Sequence, residues 1–270
     1  MISVAEWDLL THRAWPARTT AQVGGWLARF SGGVTHRANS VLPLEAPADV
    51  GEAVAEVEAL YRERGLAPTF QIGRAAQPAG LDEHLSARGY EARNAAVLQV
   101  AEVGEVLRRT SAPGDGARVT EAPDEDWTDL WWSVDGRGGD EAREIAVDIL
   151  TATPALYASI WDGRGIAAVG RLALVDGWGG LHCMAVRPDA RRRGHGQAVL
   201  RALLICAADH GIRDVWLQVL VDNEPARCLY EGVGFAPAAN YHYRVLPRAR
   251  SDQLREPDKC RGIVASITRR

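Results

Sequence analysis

The residues best suited to binding an anion lie in one segment, Arg191 to Ala198, which reads RRRGHGQA. Two glycines in it, Gly194 and Gly196, let the backbone approach a ligand closely. An apolar run typical of a strand, Leu181 to Val186, precedes the segment, and a helical pattern follows it and ends at Gly211. The first N–H groups of a helix have no internal partner and lie at the positive end of the macrodipole. The order strand, glycine turn, helix therefore predicts a phosphate-binding site.

Two common phosphate-binding motifs do not fit this segment. A Walker A motif needs a lysine after its second glycine, but the only lysine of the chain, Lys259, follows Asp258. The G-x-G-x-x-G pattern also fails, because Val199 stands three positions after Gly196. The segment instead fits R/Q-x-x-G-x-G/A, with Arg191 and the two glycines at the fixed positions.

A second motif downstream strengthens this interpretation. A predicted strand, Asp214 to Leu220, is followed by N-x-x-A-x-x-L-Y-x-x-x-G-F, which begins at Asn223 and ends at Phe235. Together the two motifs resemble the cofactor site of the GNAT N-acetyltransferases, and the resemblance covers about residues 117 to 246. It implies an α/β (α+β) GNAT fold, in which helices flank a mixed central sheet.

The resemblance also implies acetyl-CoA as the co-substrate. Backbone amides of the glycine turn would hold its pyrophosphate, with arginine side chains adding charge-assisted hydrogen bonds. The pantetheine arm would lie between two splayed strand ends, Met184 to Val186 and Leu217 to Val219. The residues assigned to cofactor binding in this way are Met184, Ala185, Val186, Arg191, Arg192, Arg193, Gly194, His195, Gly196, Gln197, Ala198, Asn223, Ala226 and Tyr230.

Acetyl transfer to an amine also needs a proton for the departing thiolate. The resemblance places Tyr230 in the position of that general acid. A phenol with a pKa of about 10 is protonated at pH 7 and can donate to a thiolate whose conjugate acid lies near 8.5. The alternative is that Tyr230 packs as an ordinary helix aromatic.

The general base is less well defined. Some GNAT enzymes carry a glutamate on the strand before the glycine turn, but Gly180 stands at that position here. His182 has the same strand parity and can accept a proton directly or through water, although it can equally be a packed strand histidine. Asp135, Asp140 and Glu141 are further candidates, better suited to contacting a cationic substrate. Arg137 suits a substrate carboxylate, and no metal site is predicted.

The first hundred residues repeat the later pattern. Two strands are predicted at Val23 to Phe30 and His36 to Leu42, and a helix with a capping box follows from Asp49. A strand at Thr69 to Ile72, a helix around Leu81 to Ala87 and an apolar run at Ala95 to Val100 complete the order. This copy has no glycine turn before its helix, and offers two prolines and two carboxylates instead. An unrelated α/β domain is the alternative. If the copy walls an acceptor site, its first candidates are Trp26, Arg37 and Asn39.

The predicted organisation has four parts. A degenerate GNAT-like domain spans residues 1–101 and a linker spans 102–116, where apolar periodicity is lost. A catalytic GNAT domain spans 117–246, with hairpin turns at Asp162 to Gly165 and Asp176 to Gly179. A polar, basic tail, predicted to be disordered, spans 247–270. Tandem acetyltransferases such as mycothiol synthase are similar in plan.

Composition supports an ordinary globular enzyme. The 270 residues are 47% hydrophobic and carry a net charge of −4, so no basic patch predicts a nucleic-acid partner. The four cysteines form no C-x-x-C pair, and neither a signal peptide nor a membrane-spanning run is evident. These features predict a cytoplasmic protein without membrane association, either a monomer or a homodimer.

The sequence therefore predicts an acetyl-CoA-dependent N-acetyltransferase that acts on the primary amine of a small molecule or amino acid. Tyr230 and His182 are its candidate catalytic residues. The alternative is a non-catalytic regulatory module that binds acyl-CoA.

Overall fold

The computed structural model describes residues 4–110 and 116–247, which form two compact units. The first unit contains residues 4–96, 137–150 and 239–247, and the second contains the described residues from 97 to 136 and from 151 to 238. The units therefore interleave along the chain, whereas the sequence analysis divided the chain into consecutive domains. Residues 248–270, where the tail is predicted, lie outside the described residues.

The first unit begins with helices and strands that the sequence predicted only in part. Its elements are α1 (Val4–Ala14), β1 (Thr19–Val23), β2 (Trp26–Phe30), β3 (Leu42–Pro43), α2 (Val50–Glu63), β4 (Thr69–Gly73) and α3 (Leu81–Ala87). Strands β1, β2 and β3 form an antiparallel sheet in that order. Helix α1 was not predicted. Trp26, Phe70 and Tyr61 lie in the core of this unit.

Two strand predictions in the first unit were wrong. The prediction of one strand at Val23 to Phe30 fails because Gly24 and Gly25 form a turn between β1 and β2. Gly24 has a φ of +57°, and a Cβ on Gly25 would lie 2.7 Å from the Glu45 carbonyl oxygen. The predicted strand at His36 to Leu42 instead begins as a 3₁₀ turn, His36–Ala38. The Asn39 side chain accepts hydrogen bonds from Ser31 N–H and Gly33 N–H, which folds the chain back there.

The second unit contains the mixed sheet that the sequence predicted. Its strands run in the order β10-β9-β8-β7-β6, and only the β10·β9 pair among these is parallel. Between β8 and β9, Asp176 and Gly177 both have positive φ, as a two-residue hairpin turn requires. The elements are β6 (Ala117–Thr120), α5 (Glu125–Asp135), β7 (Ala155–Asp162), β8 (Gly165–Val175), β9 (Trp178–Val186), α7 (His195–Asp209), β10 (Asp214–Leu220) and α8 (Glu224–Gly232).

Three elements contain residues of both units: β5 (Glu91–Glu102), α6 (Asp140–Thr151) and β11 (Ala236–Val245). In the first unit, β11 pairs antiparallel with β4, from Tyr241 opposite Gly73 to Val245 opposite Thr69.

Part of the predicted linker is helical. Residues 103–109 form α4 (Val103–Arg109). Val103 and Val106 are buried, and Val103 N–H donates to the Arg213 carbonyl oxygen at 2.8 Å. Arg201 of α7 donates to the Leu107 carbonyl oxygen at 2.8 Å, near the end of this helix. Such long-range partners explain why local periodicity did not predict α4.

Helices α5 and α7 cover opposite faces of the sheet in the second unit. Gly170 of β8 faces α7, because a Cβ there would lie 2.6 Å from Val199. The next residue, Arg171, contacts Tyr157, whose ring packs edge-on against Trp127 of α5. Successive strand residues point to opposite faces, so the two helices enclose the sheet between them.

Candidate functional site

The start of α7 leaves backbone donors open. Its N-cap residue, Gly194, has a φ of +83° and provides no side-chain cap. The first helical hydrogen bond runs from Ala198 N–H to the Gly194 carbonyl oxygen at 3.0 Å. The N–H groups of His195, Gly196 and Gln197 therefore precede the helical ladder and can donate to an anion.

The arginines before α7 divide into two groups. Arg187 and Arg191 hold the turn: Arg187 binds Asp162 at 2.7 Å and Asp189 at 2.6 Å, and Arg191 donates to the Val186 carbonyl oxygen at 3.3 Å. Arg192 and Arg193 are exposed and make no ion pair or hydrogen bond with other described residues. Arg192 has a φ of +63°, which marks the sharp turn into the helix. Two side-chain cations thus stand beside the open amides.

Strands β9 and β10 pair only over part of their length. Their parallel register runs from Trp178 opposite Asp214 to Leu181 opposite Leu217, although the strands continue to Val186 and Leu220. Beyond this point β9 contains a bulge at Cys183, which has a φ of +54°. There two residues, Cys183 and Met184, oppose the single residue Gly170 of β8. A bulge bends its strand, so this geometry fits the separation of β9 from β10 that the sequence analysis assigned to the pantetheine arm.

The other predicted cofactor residues contribute mainly backbone or packing. The side chains of Met184, Ala185, Val186, Ala198 and Ala226 are buried. The Asn223 side chain accepts a hydrogen bond from Ala226 N–H at 3.3 Å, so it caps α8. These side chains therefore pack within the protein or cap a helix.

The candidate acid Tyr230 is a buried residue of α8, with only 3% of its surface exposed. Its ring packs edge-on against Phe235, with 5.6 Å between ring centroids. Burial raises the pKa of Tyr230, and the negative charge of Asp135 raises it further. The phenol is therefore protonated at neutral pH, and Asp135 is the carboxylate that acts on it electrostatically.

The candidate base His182 occupies a closely packed position. It is 4% exposed, and its ring lies edge-on to Trp216 with centroids 5.1 Å apart. A Cβ at Gly180 would lie 2.6 Å from Trp216 and 3.1 Å from His182 Nε2. A side chain at position 180 would therefore require Trp216 to move, so this packing favours the glycine found there.

The remaining candidates differ in exposure. Asp135 ends α5 and is 2% exposed, whereas Arg137, Asp140 and Glu141 are exposed. Sequence reasoning missed Arg171, which is fully buried opposite His182 and contacts the Tyr157 hydroxyl at 3.4 Å. An arginine inside the apolar run of β8 was the available signal, because arginine is seldom fully buried without a partner.

The three N-terminal candidates are mostly structural. Trp26 is fully buried and donates to the Gln77 carbonyl oxygen at 2.8 Å. Asn39 is also buried, and its side chain holds the turn described above. Arg37 alone keeps a partly exposed charged group, which lies 4.8 Å over the Trp15 ring.

Comparison with known proteins decides the family. The family model described as "Probable histone acetyltransferase Rv0428c C-terminal" matches residues 8–245. The chain belongs to this family of GNAT N-acetyltransferases. It is 30% identical over 250 residues to the Bacillus subtilis "Uncharacterized N-acetyltransferase YobR", covering 91% of this chain and 99% of that protein. The GNAT membership makes the protein an N-acetyltransferase, and the prediction of a GNAT fold is confirmed.

Solved structures share this GNAT fold. A GCN5-related N-acetyltransferase from Kribbella flavida aligns with a TM-score of 0.69 at 16% identity, over 92% of this chain and 97% of that one. A tandem GNAT protein from the clavulanic acid biosynthesis pathway aligns with a TM-score of 0.57 at 14% identity, over 74% and 70%.

Residues 4–110 and 116–247 contain neither a membrane-spanning helix nor a cluster of metal ligands. Every helix there is too short or too polar to span a bilayer. No three or more His, Cys, Asp or Glu side chains there are arranged to hold a metal ion.

Proposed function

We propose that this GNAT enzyme transfers an acetyl group from acetyl-CoA to the primary amine of a small molecule or amino acid. The observation that carries the proposal is the start of α7, where open amides follow Gly194 and two unpaired arginines stand beside them. Amide donors, a helix dipole and guanidinium groups together suit a pyrophosphate.

The second part of the fit is the separation of β9 from β10. Backbone groups of Met184 to Val186 lie beyond the last β9·β10 pair and can hydrogen-bond an extended arm. Acetyl-CoA would supply an activated acyl group there. The chain's own contribution is to hold that arm in an extended conformation and to direct it along the sheet.

Two residues would transfer protons in the reaction, one as general acid and one as general base. The amine nitrogen forms a bond to the acyl carbon as the carbon–sulfur bond breaks, and the electron pair leaves on sulfur. Tyr230, kept protonated by burial, donates its proton to the thiolate. His182 accepts the proton that the amine loses, directly or through water.

We further propose that residues 1–101 are a degenerate GNAT copy that binds no acetyl-CoA. The start of α2 supports this, because one of its first N–H groups, that of Glu52, already donates to the Asp49 side chain. The alternative of a non-catalytic acyl-CoA-binding module is disfavoured by the enzyme family to which the chain belongs.

The test combines an acceptor screen with a matched pair of variants. Release of CoA is measured with amines, amino acids, aminoglycosides and a histone peptide, the last because one relative is named a probable histone acetyltransferase. Turnover of at least one amine is expected, and no CoA release with any class would contradict the proposal.

Glycine variants locate the site. Gly196→Trp places a bulky side chain in the first turn of α7, whereas Gly51→Trp does so at the same position of α2. We expect acetyl-CoA binding to be lost in the first variant and unchanged in the second, as measured by calorimetry on proteins shown to be folded. Unchanged affinity in folded Gly196→Trp would refute the assignment.

A further inference from the structure

A second cluster of charged and polar residues lies in the first unit. It is formed by α1, β2, β4, the 3₁₀ turn and the end of β11 that pairs with β4. Its floor is Arg29, which is 1% exposed, together with the buried side chains of Gln71 and Tyr243. Asp8, His12, Arg37 and Tyr241 are partly exposed around it. A buried arginine and several ionisable groups in one place require an explanation.

The hydrogen bonds made by Arg29 and Gln71 leave one oxygen of the Asp8 carboxylate without a donor. Arg29 donates to the Ser40 carbonyl oxygen at 2.8 Å and to Gln71 Oε1 at 3.1 Å. Gln71 Nε2 in turn donates to Asp8 Oδ1 at 3.1 Å. Asp8 Oδ2 accepts no hydrogen bond from the described residues. No described cation contacts the Asp8 carboxylate directly. Burial raises the pKa of Asp8 to about 6, although Arg29 and Gln71 act in the opposite direction.

A second oxygen acceptor lies near Asp8 Oδ2. Gly73 stands opposite Tyr241 in the β4·β11 ladder. A Cβ built on Gly73 would lie 3.9 Å from Asp8 Oδ2, 3.8 Å from the Asn240 carbonyl oxygen and 3.9 Å from Tyr241 Cβ. These distances place Asp8 Oδ2 and the Asn240 carbonyl oxygen on the same side of Gly73, which has no side chain to separate the two acceptors. An ammonium group fits this arrangement of acceptors.

A cation without a carboxylate partner lies in the same cluster. The Arg37 guanidinium lies 4.8 Å over the ring of Trp15, whose Nε1 donates to Thr35 Oγ1. Arg37 makes no ion pair with the described residues, and its charge acts on the buried phenols of Tyr241 and Tyr243. A planar guanidinium held on an aromatic ring is oriented to bind a carboxylate.

The neighbouring histidines add neutral hydrogen-bonding groups. Burial lowers the pKa of His12 and that of His36 to about 4 in each case, so both imidazoles are uncharged at pH 7. His12 Nδ1 and His36 Nε2 are buried and have no hydrogen-bond partner among the described residues. The His36 ring lies 5.0 Å from that of Tyr243. Buried polar atoms of this kind are normally satisfied by water or by a ligand.

We propose that this cluster binds a free amino acid, with the ammonium group at Asp8 Oδ2 and the Asn240 carbonyl oxygen, and the carboxylate at Arg37. An amino acid carries both charges, so its ammonium group can pair with the Asp8 carboxylate while its carboxylate pairs with the Arg37 guanidinium. Binding at this site requires neither acetyl-CoA nor turnover, so the proposal stands or falls independently of the transferase reaction.

The experiment is calorimetry on the full chain without acetyl-CoA. The probes are the proteinogenic amino acids and γ-aminobutyrate, with methylammonium and acetate as singly charged fragments. We expect saturable binding of at least one amino acid with one site per chain, and much weaker binding of both fragments. Absence of binding by every amino acid, or equal affinity for a fragment, would overturn the proposal.

Variants then assign the site. Asp8→Asn keeps the bond from Gln71 but removes the charge, and Arg37→Gln removes the other charge from a partly exposed position. Each should weaken binding roughly tenfold or more, as expected for a lost charge-assisted hydrogen bond. The matched controls are Asp148→Asn, which breaks an exposed pair with Arg18, and Arg64→Gln, which removes a guanidinium lying 4.3 Å over Phe30. Unchanged binding in both site variants, or equal weakening in the controls, would overturn the assignment.

Discussion

Helices α2 and α7 differ in how their N-termini are capped. At α2, the Asp49 side chain accepts a hydrogen bond from Glu52 N–H at 2.9 Å, so the helix supplies its own anion. At α7, Gly194 supplies none, and Arg192 and Arg193 carry positive charge beside the open amides. A carboxylate already in place excludes a phosphate by occupying a donor and by like-charge repulsion. The N-cap is thus one of the differences that favour an anionic ligand at α7 over α2.

The other ends of the helices are closed in the same way. After α2, Leu66 N–H donates to the Tyr61 carbonyl oxygen at 2.9 Å, and after α7, Ile212 N–H donates to Ala207 at 3.0 Å. After α3, Tyr90 N–H donates to Leu85 at 3.1 Å, and after α8, Phe235 N–H donates to Tyr230 at 3.0 Å. A glycine with positive φ precedes each of these donors: Gly65, Gly211, Gly89 and Gly234.

These matched bonds support the proposed internal repeat and align its two copies. They place Leu85 of α3 at the position of Tyr230 of α8. Under this proposed alignment, the first copy has a leucine and therefore no proton donor at this position. Similar backbone closures persist where the reactive groups differ, because glycine caps serve the fold and not the reaction.

The largest expected effect is a loss of kcat on removing the Tyr230 hydroxyl, which tests whether Tyr230 differs from an ordinary buried tyrosine. Tyr230→Phe removes the proposed proton donor and should lower kcat by roughly 10²- to 10⁴-fold, with little change in acetyl-CoA affinity. The matched control is Tyr61→Phe, which removes a buried hydroxyl bonded to the Arg29 carbonyl oxygen. That variant should lose stability and keep kcat. Steady-state kinetics with chemistry shown to be rate-limiting makes the measurement, and equal kcat in Tyr230→Phe and the parent would return Tyr230 to a packing role.

A smaller effect is expected at the start of α2. Asp49→Ala removes the N-cap and should lower the free energy of unfolding by about 1 kcal/mol, which urea denaturation measures. It should not create acetyl-CoA binding there, because the turn has prolines at positions 43 and 47 and no arginine. Acetyl-CoA binding at α2 in this variant would show that the cap alone separates the two helices.

Sequence periodicity predicted the elements whose signals are local. The strands of both hairpins, the helix after Gly194 and β10 lie where the pattern placed them, because turn residues and apolar spacing are encoded within a few positions. It did not predict α4, whose start is fixed by Arg213, nor the turn at His36, which Asn39 stabilises through side-chain bonds.

For the candidate site too, the features encoded by neighbouring residues were predicted and those that depend on distant residues were not. The motif residues from Arg191 to Ala198 were evident from glycine spacing. The bulge at Cys183 was not, because it depends on the close packing of Met184 over Gly170 of the neighbouring strand. The burial of Arg171 and the contact of His182 with Trp216 likewise arise from residues distant in sequence.

The most direct test of the difference between α2 and α7 is the stoichiometry of acetyl-CoA binding to the full chain. Calorimetric titration should saturate at one equivalent, because α7 alone of these two helices has an uncapped start with glycines and unpaired arginines beside it. The same titration of Gly196→Trp should show no binding. Two equivalents per chain, or one equivalent retained in folded Gly196→Trp, would contradict the account.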